Sequence, residues 1–154
     1  AGAHVTLKFM GDIPATEAHV IESALTRVVI GHSMFQLGLG ALRTFPSGGS
    51  PRVLFSSLTG ETHALTELQR DVEQELVRVG LGPEERDFNA HVTLARFSRR
   101  SMDRPVGEGI RAAVSLFQMS STPFRVGQVS LMRSHLSRFG ASYTRVVSVP
   151  LAVA

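Results

Sequence analysis

Two histidines begin almost the same run of residues at distant points of the chain. The segment HVTLKF starts at His4, the segment HVTLARF starts at His91, and five residues match once one insertion is allowed. Alternating β-branched and apolar residues predict a strand in each copy. Side chains two positions apart share a strand face, so each histidine lies beside its threonine, Thr6 or Thr93. Two such strands could bring two imidazoles and two hydroxyls onto one small anionic group, which indicates acid–base chemistry on a phosphate.

The alternative is that these are ordinary histidines. A single histidine on a strand is usually a satisfied core or surface residue, and a second His-x-Thr-Leu could arise by chance. Five aligned identities favour a paired site instead. The remaining histidines have no partner at the spacing of metal ligands, so we expect surface or structural roles for His19, His32, His63 and His135.

The composition indicates a globular protein. A chain of 154 residues with 43% hydrophobic and 19% charged residues can bury the core of one domain, or of two small packed lobes. No apolar run approaches the roughly 18–20 residues that cross a bilayer, so no membrane partner is expected. The absence of cysteine excludes disulfides, thiolate catalysis and cysteine-ligated zinc, and it fits a cytoplasmic protein.

Positive charge is concentrated in the second part of the chain. Residues 90–154 hold nine arginines against Asp103 and Glu108, and Lys8 is the only lysine among the 16 basic residues. Arginine suits bidentate contact with phosphate, so this part could bind nucleic acid. Genome composition would explain the arginines equally well. Similarly, Arg99, Arg100 and Arg104 could form a lid over RNA or simply a solvated loop.

The pattern of elements mixes helices and strands without a regular βαβ repeat, which favours an α+β fold. The clearest helix covers residues 62–79, where leucine and valine form one stripe before Gly80 ends it. Other expected elements are helices from about 18 to 28 and 106 to 117, and strands over 35–42, 52–58, 124–132 and 143–149. A strand and a helix precede the second motif but not the first. If the chain is an internal duplication, it lacks one strand and one helix at the front.

At this point the chain resembles the 2H phosphoesterases, which are named for two His-x-Thr/Ser motifs. Within them it is similar to the bacterial and archaeal RNA 2′,3′-cyclic phosphodiesterases, also called 2′-5′ RNA ligases. The resemblance extends to Met10-Gly11 after the first motif, residues 38–41 running into Phe45-Pro46, residues 52–55, and a closing hairpin over 131–134 with Gly140 and Tyr143. It covers nearly all of the chain. Many members have proline where this chain has Ala90, and members usually carry a strand and a helix before the first motif.

The resemblance implies one bilobal domain over residues 1–154: two pseudo-symmetric lobes with antiparallel sheets facing across a central cleft, one His-x-Thr strand from each lobe. We expect a monomer acting on RNA with 2′,3′-cyclic phosphate ends or on small cyclic nucleotides. The resemblance also suggests His4 as the acid at the 3′ oxygen and His91 as the base for water, which leaves a 2′-phosphate. The residues alone leave the order of these roles open.

The chemistry itself follows from the residue types. Histidine has an ordinary pKa of about 6.5, so one imidazole can deprotonate water while the other protonates the leaving ribose oxygen. Thr6 and Thr93 can donate hydrogen bonds to non-bridging phosphoryl oxygens. This mechanism predicts a bell-shaped dependence on pH and requires no metal or other cofactor. Run in reverse, the same pair could join a cyclic end to a 5′-hydroxyl in a 2′-5′ bond.

Three further residues are candidates for contact with substrate. The resemblance favours a substrate role for Arg96, but strand alternation points its side chain away from the face of His91, so phosphate contact requires a bulge. Phe45 could stack on a base, although a core phenylalanine is the commoner outcome. Tyr143 could line the cleft or belong to the core.

Two other classes of function compete with the phosphodiesterase. One is an RNA-binding module in which the histidines contact phosphate without turnover. The other is a metallohydrolase with His4 and His91 as ligands, but the sequence offers no third ligand at a suitable spacing.

Overall fold

The computed structural model describes residues 4–47, 50–97, 104–117, 122–137 and 140–153. In these ranges three α-helices follow a short 3₁₀ turn at Ala15–Glu17: α1 (Ala18–Val29), α2 (Thr62–Arg78) and α3 (Arg104–Leu116). The strands are β1 (Phe35–Phe45), β2 (Val53–Gly60), β3 (His91–Arg96), β4 (Phe124–Val126), β5 (Gln128–Ser137) and β6 (Gly140–Pro150). The mixture confirms the α+β prediction.

The strands form two antiparallel sheets. One sheet has four strands in the order β3-β2-β1-β4, and the other is the hairpin β5-β6. The second motif therefore occupies an outer strand of the larger sheet, in direct register with β2. Strand β4 closes the opposite edge through three residue pairs with β1.

Helices α1 and α2 pack together and share one core with strands of both sheets. Their buried stripes recur every three or four residues, as an amphipathic helix requires, and consist of Ile21, Ala24, Leu25 and Val29 on α1 and Leu65, Leu68, Val72 and Leu76 on α2. The strands contribute Phe35, Leu37, Val129, Leu131 and Val149, and Leu151 joins the core directly after β6. One face of each sheet packs against the helices, and the other face points away from the core.

The end of α2 leads the chain toward the first motif. Gly80 has a φ of +101°, a conformation that residues with a side chain rarely adopt. Its N–H bonds to the carbonyl of Val77, and the next N–H, from Leu81, bonds to the carbonyl of Leu76. This is the Schellman arrangement, which satisfies carbonyls that the helix leaves without partners. The chain then turns toward Gly82, which contacts the first motif.

The prediction of a single strand over residues 124–132 is wrong. The structure divides it at Gly127 into β4, which belongs to the larger sheet, and β5, which begins the hairpin. Glycine weakens a strand interior and permits such a change of direction. Arg99 and Arg100, for which the sequence leaves both a lid and a solvated loop open, lie outside the described residues, as does the side chain of Arg104. No helix of the described residues is long and apolar enough to cross a membrane.

Candidate active site

The two histidine motifs meet in antiparallel orientation. Val5 forms an isolated bridge with Val92 on β3. Val92 is buried and Val5 packs against the core. Because side chains alternate along an extended chain, the residues on either side of each valine face away from the core.

This register sets the four motif residues against one another. Paired positions in antiparallel strands run in opposite directions, so one step from the bridge sets His4 opposite Thr93 and Thr6 opposite His91. Each histidine of one motif thus faces the threonine of the other. His4 is exposed, while Thr6, His91 and Thr93 are half-buried.

The first motif is not the regular strand that the sequence predicts. His91–Arg96 forms a ladder with β2, but among the described residues the segment from His4 to Met10 pairs only through Val5. Its neighbours explain the difference: Val5 meets β3 of the larger sheet, while the ring of His4 contacts Tyr143 on β6 of the hairpin. The first motif therefore lies between the two sheets. It contacts the larger sheet through the bridge at Val5 and the hairpin through the ring of His4, and in the part of the chain that the structure describes it forms a continuous ladder with neither sheet.

Side chains hold the first motif in place instead. The ammonium of Lys8 donates to both carboxylate oxygens of Glu73 on α2, at 2.8 and 2.7 Å, and to the carbonyl of Gly82 at 2.8 Å. The Lys8 side chain is only 3% exposed. The N–H of Glu84 also donates to Glu73, at 2.8 Å. One buried ion pair therefore ties the first motif to α2 and to the loop that follows it.

The second histidine is oriented by the backbone. Nδ1 of His91 lies 2.7 Å from the carbonyl oxygen of Asn89. A carbonyl can only accept, so Nδ1 carries the proton and donates it. In the neutral ring this leaves the lone pair on Nε2, the nitrogen that can act as a base.

Each motif histidine packs against the edge of an aromatic ring. The ring centres of His91 and Phe55 on β2 are 5.3 Å apart at an interplanar angle of 69°. Those of His4 and Tyr143 are 5.0 Å apart at 66°. Tyr143, which the sequence left between core and cleft, is half-buried and lines the motif face. Nothing in the sequence singles out Phe55 for this position, because its apolar strand VLF is typical of a core element.

A β-bulge interrupts the alternation of β3. Leu54 on β2 pairs with Ala95, but its neighbour Phe55 pairs with Thr93, which leaves Leu94 as the extra residue. A bulge of this kind inverts which side chains share a face on its two sides.

The bulge moves Arg96 onto the motif face. Arg96 pairs with Val53, and Val53 shares a face of β2 with Phe55 two positions later. Since the ring of Phe55 contacts His91, all of these side chains lie on one side of the sheet. The bulge that a substrate role for Arg96 requires is therefore present.

Phe45 lies farther from the motif, at the end of β1. It pairs with Val53, so a row of side chains crosses the sheet from Arg96 through Val53 to Phe45. Phe45 is 67% exposed, and the alternative that it belongs to the core is wrong. Its ring lies two strands away from the motif strand, on the same face.

A second row crosses the sheet at the motif itself. Thr93 pairs with Phe55, and Phe55 pairs with Arg43 on β1. Arg43 is exposed and shares its face of β1 with Phe45. The histidine motifs do not single out Arg43, and its spacing of two from Phe45 is the only sequence signal of this position.

Charge is divided between the helices and the sheets. The six strands that the structure describes contain no aspartate or glutamate, and their arginines are Arg43, Arg96, Arg125, Arg133 and Arg145. The helix surfaces, in contrast, hold paired charges. Hydrogen bonds from Arg78 and Arg27 lower the pKa of Glu75 to about 2. The motif face therefore presents positive charge that no strand carboxylate neutralises.

Two of the remaining histidines pair with carboxylates. Nε2 of His32 lies 3.0 Å from Asp71, and Nδ1 of His63 lies 3.3 Å from Glu67. Burial acts to raise the pKa of Asp71, but hydrogen bonds from Arg70 and His32 outweigh it and lower that pKa. Among the described residues, no three metal-ligating side chains lie together.

Comparison with known proteins places this chain in one family. The profile described as the 2′-5′ RNA ligase superfamily matches residues 1–138. The chain therefore belongs to the 2′-5′ RNA ligase superfamily, which confirms the resemblance to the 2H phosphoesterases.

Relatives and solved structures agree with this assignment. The RNA 2′,3′-cyclic phosphodiesterase of Geobacillus stearothermophilus is 30% identical over 149 residues, which are 96% of this chain and 45% of that protein. That of Methanothermobacter thermautotrophicus is 30% identical over 145 residues, 92% of this chain and 74% of that protein. The chain thus spans less than half of the first relative's length.

The fold is shared with two crystal structures at lower identity. TT0787 of Thermus thermophilus has a TM-score of 0.72 at 22% identity, covering 98% of this chain and 79% of that one. E. coli LigT complexed with 3′-AMP has a TM-score of 0.69 at 19% identity, covering 97% and 76%.

Proposed function

We propose that this protein hydrolyses 2′,3′-cyclic phosphate ends of RNA to 2′-phosphates by acid–base catalysis with His4 and His91. One observation carries the proposal: the antiparallel bridge at Val5 and Val92 sets each motif histidine opposite the threonine of the other motif. Two relatives that carry the name RNA 2′,3′-cyclic phosphodiesterase support the substrate class.

The reaction requires one proton to be taken up and one to be delivered. Nε2 of His91, which holds the lone pair while Nδ1 donates to the carbonyl of Asn89, removes a proton from water as the water oxygen attacks phosphorus. The bond from phosphorus to the 3′ oxygen breaks, and protonated His4 donates its proton to that oxygen. The product is a 2′-phosphate and a 3′-hydroxyl. With a 5′-hydroxyl in place of water, the same steps form a 2′-5′ bond.

Charge that develops on the phosphoryl oxygens needs donors on the same face. Thr6 and Thr93 donate from the two motifs, and Arg96, brought to this face by the bulge, donates from the end of β3. Such groups stabilise the transition state most when they are fixed before the reaction begins. The exposed ring of Phe45 offers a stacking surface for a base.

The test is incubation with 2′,3′-cyclic AMP in excess chelator, with separation of 2′-AMP from 3′-AMP. We expect 2′-AMP to accumulate, because His4 protonates the 3′ oxygen. Accumulation of 3′-AMP would retain the site but reverse the bond that is cleaved. Loss of turnover on addition of chelator would contradict the mechanism in favour of a metallohydrolase. A folded protein that binds RNA without turnover would be a binding module.

A further inference from the structure

We propose that Arg43 binds the 5′-phosphate of the terminal nucleotide, so that the site selects an RNA chain over a cyclic mononucleotide. The inference rests on the proposed function. It assigns a specificity role to a residue on β1 that lies outside both histidine motifs.

The position of Arg43 follows from two residue pairs that form one row across the larger sheet. Thr93, Phe55 and Arg43 succeed one another across β3, β2 and β1. Paired residues share a face, and the ring of Phe55 contacts His91 on that face. Two strand spacings separate the backbones of Thr93 and Arg43, or roughly 10 Å. Arg43 thus stands beyond the reacting phosphate but within one nucleotide of it.

Arg43 is also available for an anion. Among the described residues it forms no ion pair, and its side chain is exposed. Four arginines elsewhere in the described structure, Arg27, Arg70, Arg78 and Arg86, each pair with a carboxylate. A guanidinium without a carboxylate neighbour on a carboxylate-free sheet is suited to bidentate contact with phosphate.

Phe45, the neighbour of Arg43 on β1, could stack on the base of the same nucleotide whose 5′-phosphate binds Arg43. Both residues point from the same face of β1, two positions and roughly 7 Å apart. A base stacked on Phe45 would leave the phosphate of the same nucleotide near Arg43, while its cyclic phosphate extends toward His91 and Thr93. A cyclic mononucleotide has the base and the cyclic phosphate but lacks the 5′-phosphate. It therefore cannot use Arg43.

The experiment compares two substrates in four proteins: wild type, Arg43→Ala, Arg43→Lys and a control variant. Initial rates with 2′,3′-cyclic AMP and with the dinucleotide ApA bearing a 2′,3′-cyclic phosphate give a ratio of kcat/KM, dinucleotide over mononucleotide. We expect wild type to favour the dinucleotide and Arg43→Ala to lower the ratio roughly tenfold, mainly through KM, since it removes a charged hydrogen bond. Arg43→Lys should lower it less, because it keeps the charge but not the fork.

Arg125→Ala is the matched control. Arg125 is also an exposed arginine of the larger sheet, but it pairs with Gln36 at the far end of β1. Its removal changes the net charge as much as the loss of Arg43 does. We expect it to leave the ratio at the wild-type value. An equal fall with Arg125→Ala would mean that general charge, and not Arg43, attracts the longer substrate.

Failure of this inference can be told apart from failure of the proposed function. If wild type cleaves both substrates with equal efficiency, or if Arg43→Ala retains the wild-type ratio, the inference is wrong and the proposed function stands. If wild type cleaves neither, the proposed function fails. The inference is then decided by the ratio of dissociation constants for 3′-AMP and for ApA with a 3′-phosphate, which Arg43→Ala must change and Arg125→Ala must not.

Discussion

The first and second motifs share a sequence but are held by different interactions. Residues 91–96 are held by main-chain hydrogen bonds to β2, and a main-chain carbonyl orients the ring of His91. Residues 4–10 have one bridge and depend on the ion pair of Lys8 with Glu73. Two similar hexapeptides are therefore held at the same site by different kinds of interaction.

The difference has a consequence for robustness. A main-chain ladder tolerates changes in side chains, because the backbone supplies the donors and acceptors. A segment fixed by one buried ion pair does not, since removing one partner leaves the other charged and unpaired. We therefore expect the first motif to be more sensitive to mutations outside the site, although both histidines serve one reaction.

The largest effect is expected where the two motifs are equivalent. His4→Ala and His91→Ala should each lower kcat for 2′,3′-cyclic AMP about a thousandfold, since each removes one proton-transfer group. The pH dependence should change from a bell to a single limb in each variant. His63→Ala on α2, whose side chain is 87% exposed, is the control and should retain full activity. Substantial turnover by either motif variant would contradict acid–base catalysis by the pair.

The next effect should separate the motifs. Lys8→Met leaves Glu73 without its ammonium partner in a site where the lysine side chain is 3% exposed, and we expect a loss of about 3 kcal/mol in the free energy of unfolding. Chemical denaturation measures this. Arg78→Met removes an exposed cation from the same helix and should lower the free energy of unfolding much less than Lys8→Met does, because water screens an exposed ion pair.

The second motif has a counterpart to that test. Asn89→Ala keeps the main-chain carbonyl that accepts from His91, so stability and kcat should stay near wild type. If Lys8→Met lowers the free energy of unfolding as little as Asn89→Ala does, the ion pair does not hold the first motif.

The same contrast explains what could be predicted from the sequence. Period-two alternation predicted β3, and the stripe of leucine and valine predicted α2 almost to the residue. Both predictions succeed because an element that buries one face has apolar residues at the period of that element. The first motif has the same alternation but only one bridge, since a strand also needs a neighbour to pair with. That neighbour is set by tertiary packing, which local sequence does not contain.

Registers were harder to predict than elements. Strict alternation points Arg96 away from His91, and a bulge at Leu94 reverses this. The exposure of Phe45 depends on what covers the end of β1, and the split at Gly127 depends on which sheet each half joins. Each outcome is decided by contacts between segments distant in sequence.

A smaller effect should appear at the two aromatic contacts. Tyr143→Leu removes a ring from His4, which lacks a main-chain ladder, and we expect kcat to fall about tenfold. Phe55→Leu removes a ring from His91, but β2 and Asn89 still hold that residue, so a fall of about threefold is expected. Tyr143→Phe keeps the ring and should behave like wild type. Equal losses in the two leucine variants would show that the ladder adds nothing to the orientation of His91.

The smallest effect concerns acid and the helix that supports the first motif. Glu75 accepts hydrogen bonds from Arg78 and Arg27, which lower its pKa from 4.5 to about 2 in the folded protein. Because the folded pKa is the lower one, the stabilisation is complete above pH 4.5 and is lost as the pH falls toward 2. Glu75→Gln has no charge to lose, so its midpoint of unfolding should decline less than that of wild type across this window. Thermal unfolding at intervals of pH measures the two slopes. Parallel slopes would mean that other carboxylates govern the response to acid. The contact of Arg27 on α1 with Glu75 on α2 would then not contribute to that response.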